Sequence, residues 1–408
     1  MSGCSIGLRV AEKIDLELRH TKEESLMRQN RWLALSLLVA ALSLITSVYA
    51  KDHENVAPYK LIATISIPGF GNGFDISWVD SEAGRYYLAN RGNAAAVPPV
   101  AAHIDVIDTR RLKLLDPLPV HAAGNGVVAI RNRHDDDDDE WQGEGSEELW
   151  VGDARSFVEV IDLKSKSIVA DIFTGGTLRA DELAYDPRDR IMIVANDQDA
   201  IPFVTFISTK TRTVLGRLEY PQAVFGTPPE NHGLEQPVWN PKTRKFYLSV
   251  PGTIHNPQGE VDEIDPHQMM VTRVFPAVCN PGEAPQGLAL VPRQRLVTSC
   301  GDILRVSDGK VLKTVPGLGI DEIWFNPGDE RVYFAGGPNF IVDPSVPVLD
   351  TDTNTLVAVI KVGTPPPPLR FTHSVAADSE TNRIFVPISG VGVKVYTDSD
   401  EEAGDHDR

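Results

Sequence analysis

One phrase recurs seven times along the chain and constrains the fold more than any other feature: a short apolar strand, a turn, then a second apolar strand. The clearest copy runs Ile76-Ser77-Trp78-Val79-Asp80 into Arg85-Tyr86-Tyr87-Leu88-Ala89-Asn90. It returns at residues 183–187 with 191–196, at 237–241 with 245–250, and at 323–327 with 331–335, where the turns are Asp186-Pro187, Asn240-Pro241 and Asn326-Pro327. Weaker copies stand at 127–131 with 148–153, at 288–292 with 295–299, and at 375–379 with 383–387. Asp or Asn beside Pro is turn chemistry, so each copy predicts an antiparallel hairpin.

A second phrase follows the hairpins: Val106-Ile107-Asp108-Thr109 before Leu112-Lys113-Leu114, Val160-Ile161-Asp162-Leu163 before residues 167–170, and Val348-Leu349-Asp350-Thr351 before residues 356–360. No long stretch past residue 58 carries helical periodicity, and the runs are β-branched and aromatic, so the chain reads as all-β. Four strands at a spacing of roughly 50 residues make a blade, and seven blades make a seven-bladed β-propeller over residues 58–397. The last repeat stops one strand short. Residues 61–68, Leu-Ile-Ala-Thr-Ile-Ser-Ile-Pro, match the outer-strand phrase and are expected to close the ring by joining the C-terminal blade, which removes the exposed sheet edges.

Residues 32–50 form the one long apolar run, preceded by Arg28 and Arg31 and ended by Ser47-Val48-Tyr49-Ala50. That is the layout of a signal peptide, so residues 1–50 read as an extension and leader, 51–57 as a linker, and 398–408 as an acidic disordered tail. Translation from Met27 would give the leader an ordinary length. An uncleaved signal anchor is the alternative, because nineteen residues just span a bilayer. Either way the propeller is expected outside the cytoplasm, periplasmic or secreted, with membrane contact only if the leader is kept. Fifty-seven acidic against 39 basic residues give a net charge of -18, which repels nucleic acid. A monomer is expected. Three cysteines exclude a disulfide scaffold or a Cys-rich zinc module. Cys279 and Cys300 fall at one end of one hairpin, and a bridge is favoured over two buried thiols.

Aligning the inner strands puts Asp75, Asn125, Asp181, Glu235, Gln286, Asp321 and His373 at one height, at the channel mouth. Asp181, Glu235 and Asp321 offer carboxylates for Ca2+ or another divalent cation, and Asp75, Asn125 and Gln286 offer ligand-binding groups with Arg179 and Arg370. His373 and His232 are the acid–base candidates. Asn72, His121, Glu182, Glu283 and Glu322 sit in or beside the same loops, and Asn90, Arg91, Asp153, Asn196 and His255 come from the strand-to-strand loops. The plain alternative, polar residues bonded only to channel water, stays open. The run of five aspartates inside residues 134–140 reads as a solvated loop, Pro365 to Pro368 as a spacer, and residues 69–73 as a turn rather than a phosphate loop.

Residues 348–363, Val-Leu-Asp-Thr-Asp-Thr-Asn-Thr-Leu-Val-Ala-Val-Ile-Lys-Val-Gly, resemble the YVTN-repeat family of extracytoplasmic β-propellers, and the likeness runs over nearly all of 58–397. It implies a scaffold that binds a small ligand or a protein partner on its loop-rich face. Glu235-Gln236-Pro237-Val238-Trp239-Asn240 and Pro285-Gln286-Gly287-Leu288-Ala289-Leu290 are similar to phrases of gluconolactonase and senescence-marker-type propellers. That resemblance implies the alternative, a metal-dependent lactonase-like hydrolase at the channel mouth. Those relatives have six blades and an Asn where this chain has Gln286.

Overall fold

The computed structural model describes residues 59–69, 73–132, 146–223, 233–280, 283–319, 321–336, 344–363 and 372–398. The leader and linker, the aspartate run at 134–140, the prolines at 365–368, Asn72, His232, Arg370 and the tail past Asp398 lie outside the described residues.

Seven antiparallel sheets stand around one axis, giving a seven-bladed β-propeller. The innermost strands are Phe74–Asp80, Gly124–Asn132, Leu183–Asp186, Pro237–Asn240, Leu288–Val291, Ile323–Asn326 and Ala376–Asp378, one to each blade. From each, the chain steps outward by hairpins. Turn chemistry sets the first step: Asp186 Oδ1 accepts from the Arg188 N–H at 2.9 Å, and Asn240 Oδ1 from the Lys242 N–H at 3.0 Å. Arg190 and Arg244 close the two turns in the left-handed region, at φ 55° and 57°. Blade one departs from the four-strand plan: its outer strand is split into Lys113–Leu114 and Leu118–Pro119, both paired with His103–Asp108.

Hydrophobic cores lie between blades rather than inside them. Ile193 and Phe206 of blade three pack with Phe246 and Leu248 of blade four. Tyr86 of blade one stacks on Phe385 of blade seven with centroids 5.1 Å apart. Each buried aromatic removes roughly 150–250 Å2 from water, so the ring holds because neighbouring blades share these side chains.

Closure follows the expected route. Lys60–Ile65 pairs antiparallel with Gly392–Thr397, from Lys60 opposite Thr397 to Ile65 opposite Val393. Arg331 of blade six secures the seam: its Nη1 donates to the Tyr59 hydroxyl at 2.7 Å and pairs with Asp398 at 2.6 Å. Cys279 and Cys300 form a disulfide with Cα atoms 5.5 Å apart, tying the approach to blade five to the end of its second strand.

Candidate functional site

Two glycines explain why polar side chains converge on the axis. A Cβ at Gly126 would lie 2.3 Å from the Asp181 carbonyl oxygen, and one at Gly287 would lie 2.4 Å from the Asp321 carbonyl oxygen. No side chain fits there. Blades three and six therefore press their backbones against blades two and five and carry Asp181-Glu182 and Asp321-Glu322 to the head of the channel.

Around the mouth, Arg179 is the central cation, with 14% of its side chain exposed. Its guanidinium pairs with Asp181 at 2.5 Å, with Asp197 at 2.8 Å and with Asp75 at 3.6 Å. Arg91 donates to the Asp75 carboxylate and, at 3.1 Å, to Asn125 Oδ1, while Asn125 Nδ2 donates to the Ala180 carbonyl at 3.1 Å. His373 stacks on Phe74 at 5.0 Å and its Nε2 lies 3.0 Å from the Phe74 carbonyl, an acceptor that assigns the proton to Nε2. Its Nδ1 then faces Asp321 at 3.6 Å and Asp75 at 3.8 Å.

Glu182, Glu235 and Glu322 form the deeper layer, 4%, 5% and 3% exposed. One oxygen from each belongs to a set lying within 4.8 Å of one another. Glu182 Oε1, Glu235 Oε1 and Glu322 Oε2 have no hydrogen-bond partner. Burial, reinforced by the neighbouring carboxylates, pushes Glu182 up to about 7 and holds Glu235 and Glu322 well above the carboxylate range. Asp321 keeps 31% of its side chain open to solvent, yet its packed surroundings push it up to about 6, with His373 pulling the other way. An unpartnered buried oxygen costs roughly 1–3 kcal/mol, so this layer is poised for something that donates hydrogen bonds or carries positive charge.

Glu182 and Glu322, with Glu235 beside them, border a cavity of about 470 Å3 on the axis, walled by the inner strands of blades one to six and by Ser374 and Val375 of blade seven. The walls are mostly apolar. Trp78 and Trp324, from blades one and six, meet edge to face at 5.1 Å, and Trp239, Tyr185 and Phe325 line the cavity with them. The Trp324 indole N–H is buried without a partner. Gln236 bridges three blades: its Oε1 accepts from the Leu288 N–H at 2.7 Å and the Ile323 N–H at 3.4 Å, and its Nε2 donates to the Ile323 carbonyl at 3.2 Å.

The structure brings together Asp75, Asn125, Asp181, Asp321, His373 and Arg179 around the mouth, and sets Glu235 one layer deeper with Glu182 and Glu322. Gln286 is half-buried, its backbone N–H donating to Ser299 Oγ at 3.0 Å. His121 belongs elsewhere, its Nδ1 3.8 Å from Glu159 and 3.7 Å from Asp171 beside Arg155. Glu283 accepts from Asn280, and His255 is exposed. Sequence reasoning missed Asp197, the fully buried partner of Arg179, and the tryptophans, of which Trp78 and Trp324 share one place in the phrase and Trp239 stands one residue further along.

No protein-family model matches the chain, and no curated protein matches its sequence. In fold it is similar to a chain in the crystal structure of a mitotic checkpoint complex, with a TM-score of 0.57 and 12% identity over 84% of this chain and 92% of that one. At that identity the likeness speaks for the fold alone. Fold and site together define a seven-bladed propeller with an acidic, aromatic-walled axial channel.

Proposed function

We propose that this propeller is an extracytoplasmic binding protein that holds a small ligand in its axial channel. One observation carries the reading: a cavity of about 470 Å3, within the size range of roughly 300–1,000 Å3 for small-molecule sites, is bordered by the buried Glu182 and Glu322, each with an unused oxygen. Apolar walls supply the burial and the glutamates supply orientation. The leader expected at residues 1–50 supports an extracytoplasmic location. Exposed apolar side chains in described loops, Val97, Leu178, Ile201, Ile254 and Val278, favour a protein partner on the loop-rich surface as well. A melting-temperature screen against a metabolite library tests the channel, because a ligand bound only to the native state raises the midpoint by mass action. Ile76 is half-buried and lines the cavity, so Ile76→Trp fills it. Hits that survive Ile76→Trp unchanged bind elsewhere and contradict the reading.

A cation-dependent hydrolase is the second reading, favoured by the three glutamate oxygens within 4.8 Å. Glu182, Glu235 and Glu322 would hold a hard divalent cation such as Ca2+, which when bound supplies polarisation of an ester carbonyl. His373, 19% exposed and turned toward Asp321, would move the proton. Lactone hydrolysis that rises with added Ca2+ and is lost in His373→Gln supports it; no Ca2+-dependent turnover on any lactone tested removes it.

A further inference from the structure

We infer that the channel ligand is a primary amine, its ammonium held by Glu182, Glu235 and Glu322 and its apolar body lying among the tryptophans. The inference deepens the channel-binding reading and rests on it.

The head group follows from counting. A primary ammonium has three N–H donors and no acceptor. Three acceptor oxygens spaced tetrahedrally around it at hydrogen-bond distance lie about 4.6 Å apart. Glu182, Glu235 and Glu322 each place one oxygen in a set no wider than 4.8 Å, compact enough to converge on one ammonium, and each residue keeps an oxygen without a partner. The glutamates are more than nine-tenths buried, so water is a poor competitor for those oxygens.

The surroundings distinguish an ammonium from a divalent metal ion. Ca2+ takes six to eight oxygens. Here Gln236 Oε1 is taken by two backbone N–H groups and Asp75 pairs with Arg91, while Asp181 spends Oδ2 on Arg179 and has only Oδ1 to spare. Three glutamates satisfy three donors without recruiting them.

The body follows from the walls. Trp78, Trp239, Trp324, Tyr185 and Phe325 line the cavity, and aromatic faces favour cations and the apolar carbons next to them. The unpartnered Trp324 indole N–H adds one donor within the walls, which an oxygen on the ligand body would accept. A head that donates and a body that is apolar with one acceptor describes an aryl- or alkyl-amine.

The test is calorimetric titration of the protein at neutral pH with matched pairs: butylamine against butanol, phenethylamine against 2-phenylethanol, and tyramine against tyrosol. CaCl2 alone is titrated in parallel. The account expects at least one amine to bind tenfold or more tighter than its alcohol. Glu235→Gln and Glu322→Gln, which keep shape but cannot give up a proton to become carboxylates when the ammonium binds, should each weaken that amine tenfold or more. Alcohols that bind within tenfold of every amine overturn the ammonium assignment and leave the channel as a neutral-ligand site. Calcium binding that is lost in Glu235→Gln, with no amine binding, overturns it in favour of a metal site. If no amine and no alcohol binds or moves the tryptophan fluorescence, this inference and the channel-binding reading both fall. The comparison of amine with alcohol needs no variant, so misfolding of either Gln protein leaves it decisive.

Discussion

Glu182 of blade three and Glu322 of blade six, both buried, bring carboxylate oxygens within 4.8 Å of each other at the head of the channel. Two buried carboxyls this close repel each other as anions, and burial disfavours both charges, so the fold favours keeping a proton on the pair. The native fold holds that proton at a pH where an unfolded chain would have released it.

Stability in the absence of ligand should therefore fall as pH rises from about 4.5 to 7.5. Glu182 is pushed up to about 7 and Asp321 to about 6, while both titrate near 4 when unfolded. Within that window the native state binds more protons than the unfolded state, so unfolding becomes easier with each step up in pH. Glu182 alone contributes roughly 3 kcal/mol, fully present below pH 4 and lost through pH 7. Urea midpoints at pH 5 and 7.5 measure the fall, and Glu182→Gln should flatten it. A midpoint that is level or higher at pH 7.5 contradicts the assignment. Surface carboxylates such as Asp308, held at about 2 by Arg305, act only at lower pH.

Arg179 neutralises the buried carboxylates of Asp181 and Asp197 at the mouth. Arg179→Met leaves Asp181 and Asp197 buried without their cation, and breaking a buried pair in this way costs about 3–5 kcal/mol. Arg179→Lys should recover only part, because the guanidinium uses both Nε and Nη2 on Asp197 and an ammonium offers no such fork. Chemical denaturation of the two variants gives the order; equal stability of Met and Lys proteins would refute it.

Gly126 should tolerate no side chain. Gly126→Ala sets a methyl 2.3 Å from the Asp181 carbonyl oxygen, which forces blades two and three apart at a cost of about 1–3 kcal/mol. Because that carbonyl belongs to the segment that seats Glu182, channel binding should weaken along with stability. Wild-type binding in Gly126→Ala would show that the pinch does not position the glutamates.

The closing strand is expected to hold the ring as a unit. A chain beginning at Ile67 lacks Lys60–Ile65 and leaves Gly392–Thr397 as an open edge, an invitation to pair with another copy. Size-exclusion chromatography should show association and melting should begin earlier than in the full chain. A monomer of unchanged melting temperature would mean that the seam contributes nothing.

Strands, blade number and closure were legible because they rest on local rules: apolar alternation, Asp-Pro and Asn-Pro turns, and a final blade one strand short at residues 392–397. The site was legible only in part. Aligning inner strands yields a height, and it found the layer where Asp75, Asp181, Asp321 and His373 meet around Arg179. Depth depends on how closely neighbouring blades press, and that is a tertiary quantity. Its sequence trace was Gly126 and Gly287, which fall in the column one residue further along with Glu182, Gln236 and Glu322. Trp78, Trp239 and Trp324 read as strand packing, since nothing local distinguishes an indole facing a neighbouring blade from one lining an empty channel.

The most direct test is a crystal structure of the protein soaked at neutral pH with the amine that binds best. The account predicts density inside the channel, with the nitrogen within hydrogen-bond distance of Glu182, Glu235 and Glu322 and the body against Trp78, Trp239 or Trp324. An empty channel with the amine bound elsewhere, or an amine whose nitrogen points away from all three glutamates, would contradict it.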